Sequence, residues 1–220
     1  ETVNAIVEKI KKCMFPPFEL SVIVDPRGSY TTASAAVVKT LEVLQKLGLG
    51  TIEGKNVTVL AGTGPVGVAA TWLYAAEKAA KVTVTSRDLA KAQRVASRVN
   101  EELKTDVVKP FQAKSPDDVG KAIEDADVVL ATGAPGVQLL PLETLKTYGK
   151  RVRVVADCNA VPPYGIEGLN PKWDGKEIIP GVYGVGALAI GTLKNKIEAD
   201  QLKRLYKSQK EYLTSGLPMK

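Results

Sequence analysis

The sequence predicts an α/β fold built on a doubly wound parallel sheet, and two observations carry that reading. Strand-like apolar runs alternate with helical patterns from Val57 to Ala156. The first of these runs stops at Gly62-Thr63-Gly64-Pro65-Val66-Gly67, a G-x-G-x-x-G spacing, and leads straight into a helical pattern. Strands that take turns with helices pair in parallel through right-handed crossovers, which winds helices onto both faces of one sheet.

Taken in order, residues 2–12 read as a short amphipathic helix closed by Phe15-Pro16-Pro17-Phe18. Leu20 to Val24 reads as a strand ending at the turn signal Asp25-Pro26-Arg27-Gly28-Ser29. Thr31 or Thr32 is the expected cap of a long helix that runs to about Leu47 and stops at Gly48 and Gly50. Strands are then predicted at 57–61, 81–85, 106–109, 127–131 and 151–156, and helices at 65–79, 88–103, 116–124 and 141–147. Beyond Ala156 the alternation gives way to Asp157-Cys158-Asn159-Ala160-Val161-Pro162-Pro163-Tyr164-Gly165, polar groups at a strand end followed by two prolines that fix the backbone. Ile178-Ile179 and the run Gly181 to Gly186 come next, then a terminal helix over 187–213 whose apolar positions Leu188, Leu193, Ile197, Leu202 and Leu205 keep helical spacing. That helix is expected to pack back on the N-terminal elements, building a smaller lobe from both chain ends.

The glycine spacing makes a dinucleotide the first ligand to consider. Gly62 permits the tight turn, Gly64 lets the backbone approach a pyrophosphate, and Gly67 lets the helix pack on the strand with its N-terminus facing the anion, so Gly62, Thr63, Gly64, Pro65, Val66 and Gly67 are the expected contacts. A glycine-rich turn without a ligand is the competing reading. The next strand ends in Ser86-Arg87-Asp88, with no acidic residue at the position that would take a free ribose 2′-hydroxyl. A hydroxyl followed by a guanidinium suits a 2′-phosphate, and Lys91 lies one helical turn further on the same face, so NADP is favoured, with NAD as an alternative. Arg87 and Lys91 also read as solvated helix-start residues, and Asp88 as an N-cap or a ribose ligand. After the strand at 127–131, the small residues Thr132, Gly133 and Ala134 open a loop expected beside the ribose or nicotinamide at the switch-point crevice, or else a plain loop.

Composition narrows the chemistry. The 220 residues are 45% hydrophobic and 25% charged, as in an ordinary globular chain, and no apolar run is long enough to span a bilayer. A net charge of +6 suits anionic ligands, but scattered basic residues and 5% aromatic content make a poor nucleic-acid footprint. Cys13 and Cys158 form no metal spacing, no metal is expected, and two distant thiols fit a reduced cytoplasm. The chain has no histidine. That excludes histidine-based zinc sites, Ser-His-Asp and Cys-His relays, and the imidazole acid/base of many dehydrogenases, and it favours a reaction without a proton relay.

Several segments carry a family resemblance. Asp25-x-x-Gly28-Ser29-x-Thr31-Thr32-Ala33, the glycine turn, Ser86-Arg87-x-x-x-Lys91-Ala-Gln, Asp157-x-Asn159-Ala-x-Pro162-Pro163-x-Gly165-Ile-x-Gly168 and Gly186-Ala-Leu-x-Ile-Gly191-x-Leu193-Lys194 together resemble the NADP-dependent methylene-tetrahydromethanopterin dehydrogenases across nearly the whole chain. The resemblance implies a Rossmann-type NADP domain over 51–186, part of a substrate lobe in 1–50, and a C-terminal helix in 187–220 that packs on that lobe. It also implies hydride transfer from a methylene-tetrahydropterin to NADP, a cytoplasmic homo-oligomer, and neither nucleic-acid nor membrane partners. Hydride loss from the one-carbon bridge leaves an amidinium-like cation, so no proton need be abstracted. Carboxylates that stabilise that charge are then wanted, and Asp25 and Asp157 are the candidates, with Asn159 orienting pterin or carboxamide and Lys194 anchoring an anionic or carbonyl group. Each has a plainer reading: Asp25 in an Asp-Pro turn, Asp157 as a structural cap, Lys194 on a solvated face. The family's enzymes carry a substantial segment ahead of the position of Glu1, which bears on substrate binding, and Tyr30, Cys158 and Tyr164 are expected to influence pterin selectivity. A shikimate-type NADP dehydrogenase and a nucleotide-binding module without catalysis are the alternatives.

Overall fold

Helix α1 (Val3–Cys13) and the short strand β1 (Val22–Ile23) lead through a 3-10 turn at Pro26–Gly28 into helix α2 (Ser29–Lys46). The computed structural model describes residues 3–207 and 212–213. Strands β2 (Asn56–Leu60), β3 (Lys81–Ser86), β4 (Val108–Gln112), β5 (Val128–Ala131) and β6 (Val154–Asp157) alternate with helices α3 (Pro65–Ala76), α4 (Leu89–Leu103), α5 (Pro116–Ile123) and α6 (Leu142–Tyr148). A hairpin of β7 (Asp174–Ile179) and β8 (Val182–Val185), helix α7 (Ala187–Lys207) and strand β9 (Tyr212–Leu213) complete the order.

The sheet runs β4-β3-β2-β5-β6-β8-β7, parallel except for β7. Its order reverses between β2 and β5, so the crevice beyond their carboxyl ends is the switch point of a doubly wound sheet. The central strands read as continuous β-branched runs because both faces are buried. On one face Val57, Val59, Val82 and Val84 meet α2, α3 and α4 through Ala36, Leu44, Ala70, Tyr74 and Ala92. On the other, Leu60, Val129 and Val155 meet α5 and α6 through Ile123 and Leu145. Each valine, leucine or isoleucine among them fully removed from water contributes about 1.5–3 kcal/mol.

Helix α2 holds the two chain ends to this sheet. The buried Thr40 and Tyr74 hydroxyls share a 2.8 Å hydrogen bond between α2 and α3, and Lys39 forms a 2.9 Å ion pair with Asp174 on β7. On its remaining side α2 packs against α7, while β1 pairs in parallel with β9, so N- and C-terminal segments share one small assembly.

Several boundaries differ from those the sequence predicts. Neither Thr31 nor Thr32 caps α2: the helix begins at Ser29 with Gly28, at φ +65°, as N-cap, and the Asp25 carboxylate accepts the Tyr30 N–H at 2.8 Å. The expected strand at 20–24 is reduced to Val22–Ile23, and the one at 106–109 becomes Val108–Gln112. Pro110 is tolerated there because β4 is an edge strand and pairs with β3 alone. The strand expected at 151–156 is Val154–Asp157, and α3 ends at Ala76. The sequence pattern does not predict the antiparallel β7–β8 hairpin; Pro180-Gly181, with Gly181 at φ +80°, is its two-residue turn. The terminal helix stops at Lys207, and Tyr212–Leu213 form a strand in place of its expected last turn. Position 2 of the first expected helix and 208–211 of the last lie outside the described residues.

Candidate active site

The turn from β2 into α3 is built so that its backbone faces outward. A Cβ on Gly62 would fall 2.7 Å from the Val84 side chain, and one on Gly67 would fall 2.5 Å from the Gly62 Cα, so both positions exclude any side chain. Gly64 is different: no heavy atom lies within 4 Å of where its Cβ would sit. Its bareness leaves the approach to the backbone open. Ala61 takes the left-handed φ of 52°, and its N–H is received by the Thr85 hydroxyl at 3.0 Å while the Gly62 N–H goes to the Thr85 carbonyl at 3.0 Å. Gly64, the N-cap of α3, offers no side chain to the first helical N–H groups, and Pro65 has none to satisfy. Among the described residues the Thr63 and Gly64 N–H groups have no protein acceptor. Free donors at a helix N-terminus with room above them fit a pyrophosphate.

Ser86 ends β3 at 9% exposure, and its hydroxyl oxygen accepts the Asp88 N–H at 3.2 Å, leaving its proton to donate outward. Arg87 and Lys91 are exposed, and no hydrogen bond or ion pair engages the Arg87 guanidinium among the described residues. Asp88 is the N-cap of α4: its carboxylate accepts from Ala90 N at 3.0 Å and Lys91 N at 3.4 Å. Of its two sequence readings the structure supports the cap, and the cations beside it are free for an anion. Across the crevice, Thr132 is committed to the frame, its hydroxyl donating to the Leu60 carbonyl at 2.9 Å. Gly133 packs against Leu139, where a Cβ would come within 2.8 Å, and Ala134 is exposed at the loop tip.

At the end of β6, Asp157 and Asn159 face inward. Asp157 is 2% exposed, and its carboxylate accepts from Asn159 N at 2.9 Å and Ile166 N at 3.2 Å. Burial pushes its carboxyl above the ordinary value, against the opposing pull of the Asn159, Ile166 and Gly165 N–H groups. Gly165 leaves room for it, since a Cβ there would meet the carboxylate at 2.7 Å. The Asn159 side chain donates to the Pro163 carbonyl at 3.0 Å and accepts from Val161 N at 2.8 Å, bracing the two prolines. Cys158 between them is desolvated, its thiol pushed up to about 12, and is therefore unreactive at neutral pH.

Asp25 and Lys194 meet through Thr31, expected as a helix cap, and Glu198, to which the sequence pattern gives no role. Asp25 accepts the Thr31 hydroxyl at 2.6 Å; the same hydroxyl lies 3.3 Å from Glu198, and Glu198 forms an ion pair with Lys194. The Lys194 stem lies over Gly28, where a Cβ would fall 2.9 Å from its Cε. The readable signal was the i, i+4 spacing of Lys194 and Glu198 on one helix. Beside this cluster a cavity of about 470 Å³ joins the turn residues Arg27 and Tyr30 to Thr63 and Pro65 of the glycine turn, with Trp72 on its wall. No hydrogen bond or ion pair links Asp25 to Asp157 among the described residues.

No family model matches the chain. Two curated relatives come from Methylorubrum extorquens. Bifunctional protein MdtA is 38% identical over 205 residues, covering 92% of this chain and 68% of its own length. An NAD(P)-dependent methylenetetrahydromethanopterin dehydrogenase is 31% identical over 210 residues, covering 93% and 68%. Among solved structures, quinate dehydrogenase from Corynebacterium glutamicum in complex with NAD superposes with a TM-score of 0.57 at 14% identity, over 95% of this chain and 79% of that one. The ligand-free 5-ketofructose reductase of a Gluconobacter species gives 0.54 at 17% identity, over 96% and 81%. These two likenesses carry the Rossmann-type fold and not the chemistry. The sequence relationship goes further, and the chain belongs to the family of the NAD(P)-dependent methylenetetrahydromethanopterin dehydrogenases.

Proposed function

We propose that this chain oxidises a methylene-tetrahydropterin, methylene-tetrahydromethanopterin foremost, to its methenyl form with NADP as acceptor and NAD as an alternative. The observation that carries this reading is the 31% identity to a dehydrogenase named for that substrate, along 93% of this chain. The open glycine turn supports the cofactor, and Ser86, Arg87 and Lys91 support NADP within it.

When bound, the nicotinamide supplies the hydride acceptor. The chain's own residues then have three tasks. Thr63, Gly64 and Val66 offer backbone N–H groups to the pyrophosphate at the start of α3, while Ser86, Arg87 and Lys91 hold the 2′-phosphate. Thr132, Gly133 and Ala134 border the nicotinamide end, and Asp157 with Asn159 keeps the neighbouring loop in one shape. Asp25 supplies negative charge toward the bridge carbon as its cation develops, and Lys194 anchors the pterin. No residue has to accept a proton, which agrees with a chain that lacks histidine.

The division into a nucleotide domain at 51–186 and a substrate lobe from 1–50 with 187–220 is part of the same proposal, supported by the β1–β9 pairing and the α2–α7 contact. We also place the protein in the cytoplasm as a homo-oligomer; two free thiols and the exposed Phe15, Phe18 and Leu20 support this. No helix among the described residues is long and apolar enough to cross a membrane. The test is the appearance of reduced nicotinamide when the chain is mixed with NADP and methylene-tetrahydromethanopterin, with methylene-tetrahydrofolate alongside. Turnover is expected. Tight NADP binding with no turnover of either pterin would replace this reading with a nucleotide-binding module.

A further inference from the structure

The proposed reaction makes a cation, yet a lysine ammonium sits in the very cluster that holds Asp25. An isolated Lys194 would oppose the charge the reaction creates and offset the benefit of Asp25. Glu198 changes that balance. Its carboxylate is paired with the Lys194 ammonium and lies 3.3 Å from the Thr31 hydroxyl, which in turn donates to Asp25 at 2.6 Å. Lysine and glutamate cancel, and the four-residue cluster keeps one net negative charge from Asp25, with the Arg27 guanidinium outside that count on the neighbouring cavity wall. The bare Gly28 makes room for the pair, since a Cβ there would fall 2.9 Å from the Lys194 Cε and 3.6 Å from Glu198. The flanking Arg27, Ser29 and Tyr30 line the cavity that reaches Thr63 and Pro65 of the glycine turn. The four cluster residues are not themselves part of that lining; Asp25 and Thr31 flank it along the chain, next to Pro26 and Tyr30.

We propose that Glu198 is a positioning residue that neutralises Lys194, so that the Asp25–Thr31–Glu198–Lys194 cluster favours the cationic methenyl product over the neutral methylene substrate. This rests on the methylene-tetrahydropterin reading above. Glu198 itself touches no substrate in this scheme: it acts through Lys194 and Thr31. A purely structural glutamate would tie α7 to α2 and affect both pterin forms alike.

The experiment compares dissociation constants of methenyl- and methylene-tetrahydromethanopterin for the full chain and two variants, with thermal melting recorded on each. Glu198→Gln keeps a hydrogen-bonding side chain beside Thr31 and removes the charge. The preference for methenyl over methylene is expected to fall about fivefold to tenfold, with kcat for oxidation falling in parallel and KM for the methylene form changing less than about threefold. Adding Lys194→Met restores a net charge of minus one, and the methenyl preference is expected to return even where both affinities drop together. Equal losses for the two pterin forms, or a double variant that does not recover the ratio, would overturn the inference while leaving a working wild-type dehydrogenase intact. A wild-type chain that binds NADP but neither pterin would overturn the functional reading and this inference with it.

Discussion

Two loops sit at carboxyl ends of nearby strands in the sheet and use their polar groups in opposite ways. The glycine turn after β2 leaves backbone donors unspent and clears the space above Gly64. The segment after β6 spends nearly everything on itself: Asp157 is absorbed by the N–H groups of its own loop and Asn159 by Pro163 and Val161. The difference separates backbone donors left open from polar groups spent on holding a loop in one shape. Polar residues near a crevice are not equivalent, and only unsatisfied donors are open to a ligand.

The largest effect that tests this contrast is expected at Asp157. Asp157→Ala strands buried N–H groups at Asn159 and Ile166, which costs about 3 kcal/mol, read as a lower urea midpoint. Reduced-nicotinamide formation should be lost with NADP binding retained; normal turnover would mean that the shape Asp157 gives its loop does not matter to the reaction. The pH dependence has a definite sign. Burial raises this carboxyl in the folded protein, so its contribution to stability is present below the ordinary value of 3.8 and is lost as pH rises through the raised one. The variant should lack that slope.

Next come paired substitutions in the glycine turn. Gly67→Ala drives a methyl group to 2.5 Å from the Gly62 Cα and should cost on the order of 1–3 kcal/mol together with NADP binding. Gly64→Ala meets no protein atom, so it should leave the melting temperature unchanged while weakening NADP about tenfold. Equal melting losses in the two variants would erase the distinction between an open and a packed glycine. Arg87→Ala should have a narrower effect, weakening NADP about tenfold or more and NAD less than about twofold in parallel titrations. Equal losses would remove the 2′-phosphate assignment.

The smallest effect is expected where α2 meets β7. Lys39 is raised above its ordinary value, first by its hydrogen bond to Asp174 and then by Glu42. Stability from that link is present below about pH 10.5 and is lost as pH rises through the raised value, so Lys39→Met should cost about 0.5–1 kcal/mol at neutral pH and little above that range. A variant as stable as the parent at neutral pH would make the α2–β7 contact purely apolar.

Much of this molecule is legible in the residues because local and global preferences agree. Val57 to Leu60 is a buried parallel strand in pattern and in place, and Gly62, Gly64 and Gly67 sit where their spacing requires. Pattern and structure part where tertiary pairing outranks local preference. Pro110 has the look of a breaker, but an edge strand needs no donor on its outer side. Tyr212 and Leu213 continue a helical spacing, yet the partner that makes them a strand is β1, far away in sequence. Thr31 has the chemistry of a cap, and its hydroxyl instead joins Asp25 to Glu198, a connection that exists only once α7 returns to α2. Asp157 and Asn159 are legible as a polar strand end, but the direction of their side chains depends on Gly165 leaving a space.

The pairing of Val22 with Tyr212 also sets an order of assembly. Every strand pairing of the main sheet lies between Asn56 and Val185, so that sheet can close before the C-terminal end of the chain has been made. The β1–β9 ladder joins residues far apart along the chain and must wait until Tyr212 has left the ribosome, after a large loop-closure cost has been met. The contacts that join Asp25 and Thr31 to Glu198 and Lys194 likewise wait for α7, so they are completed after the sheet.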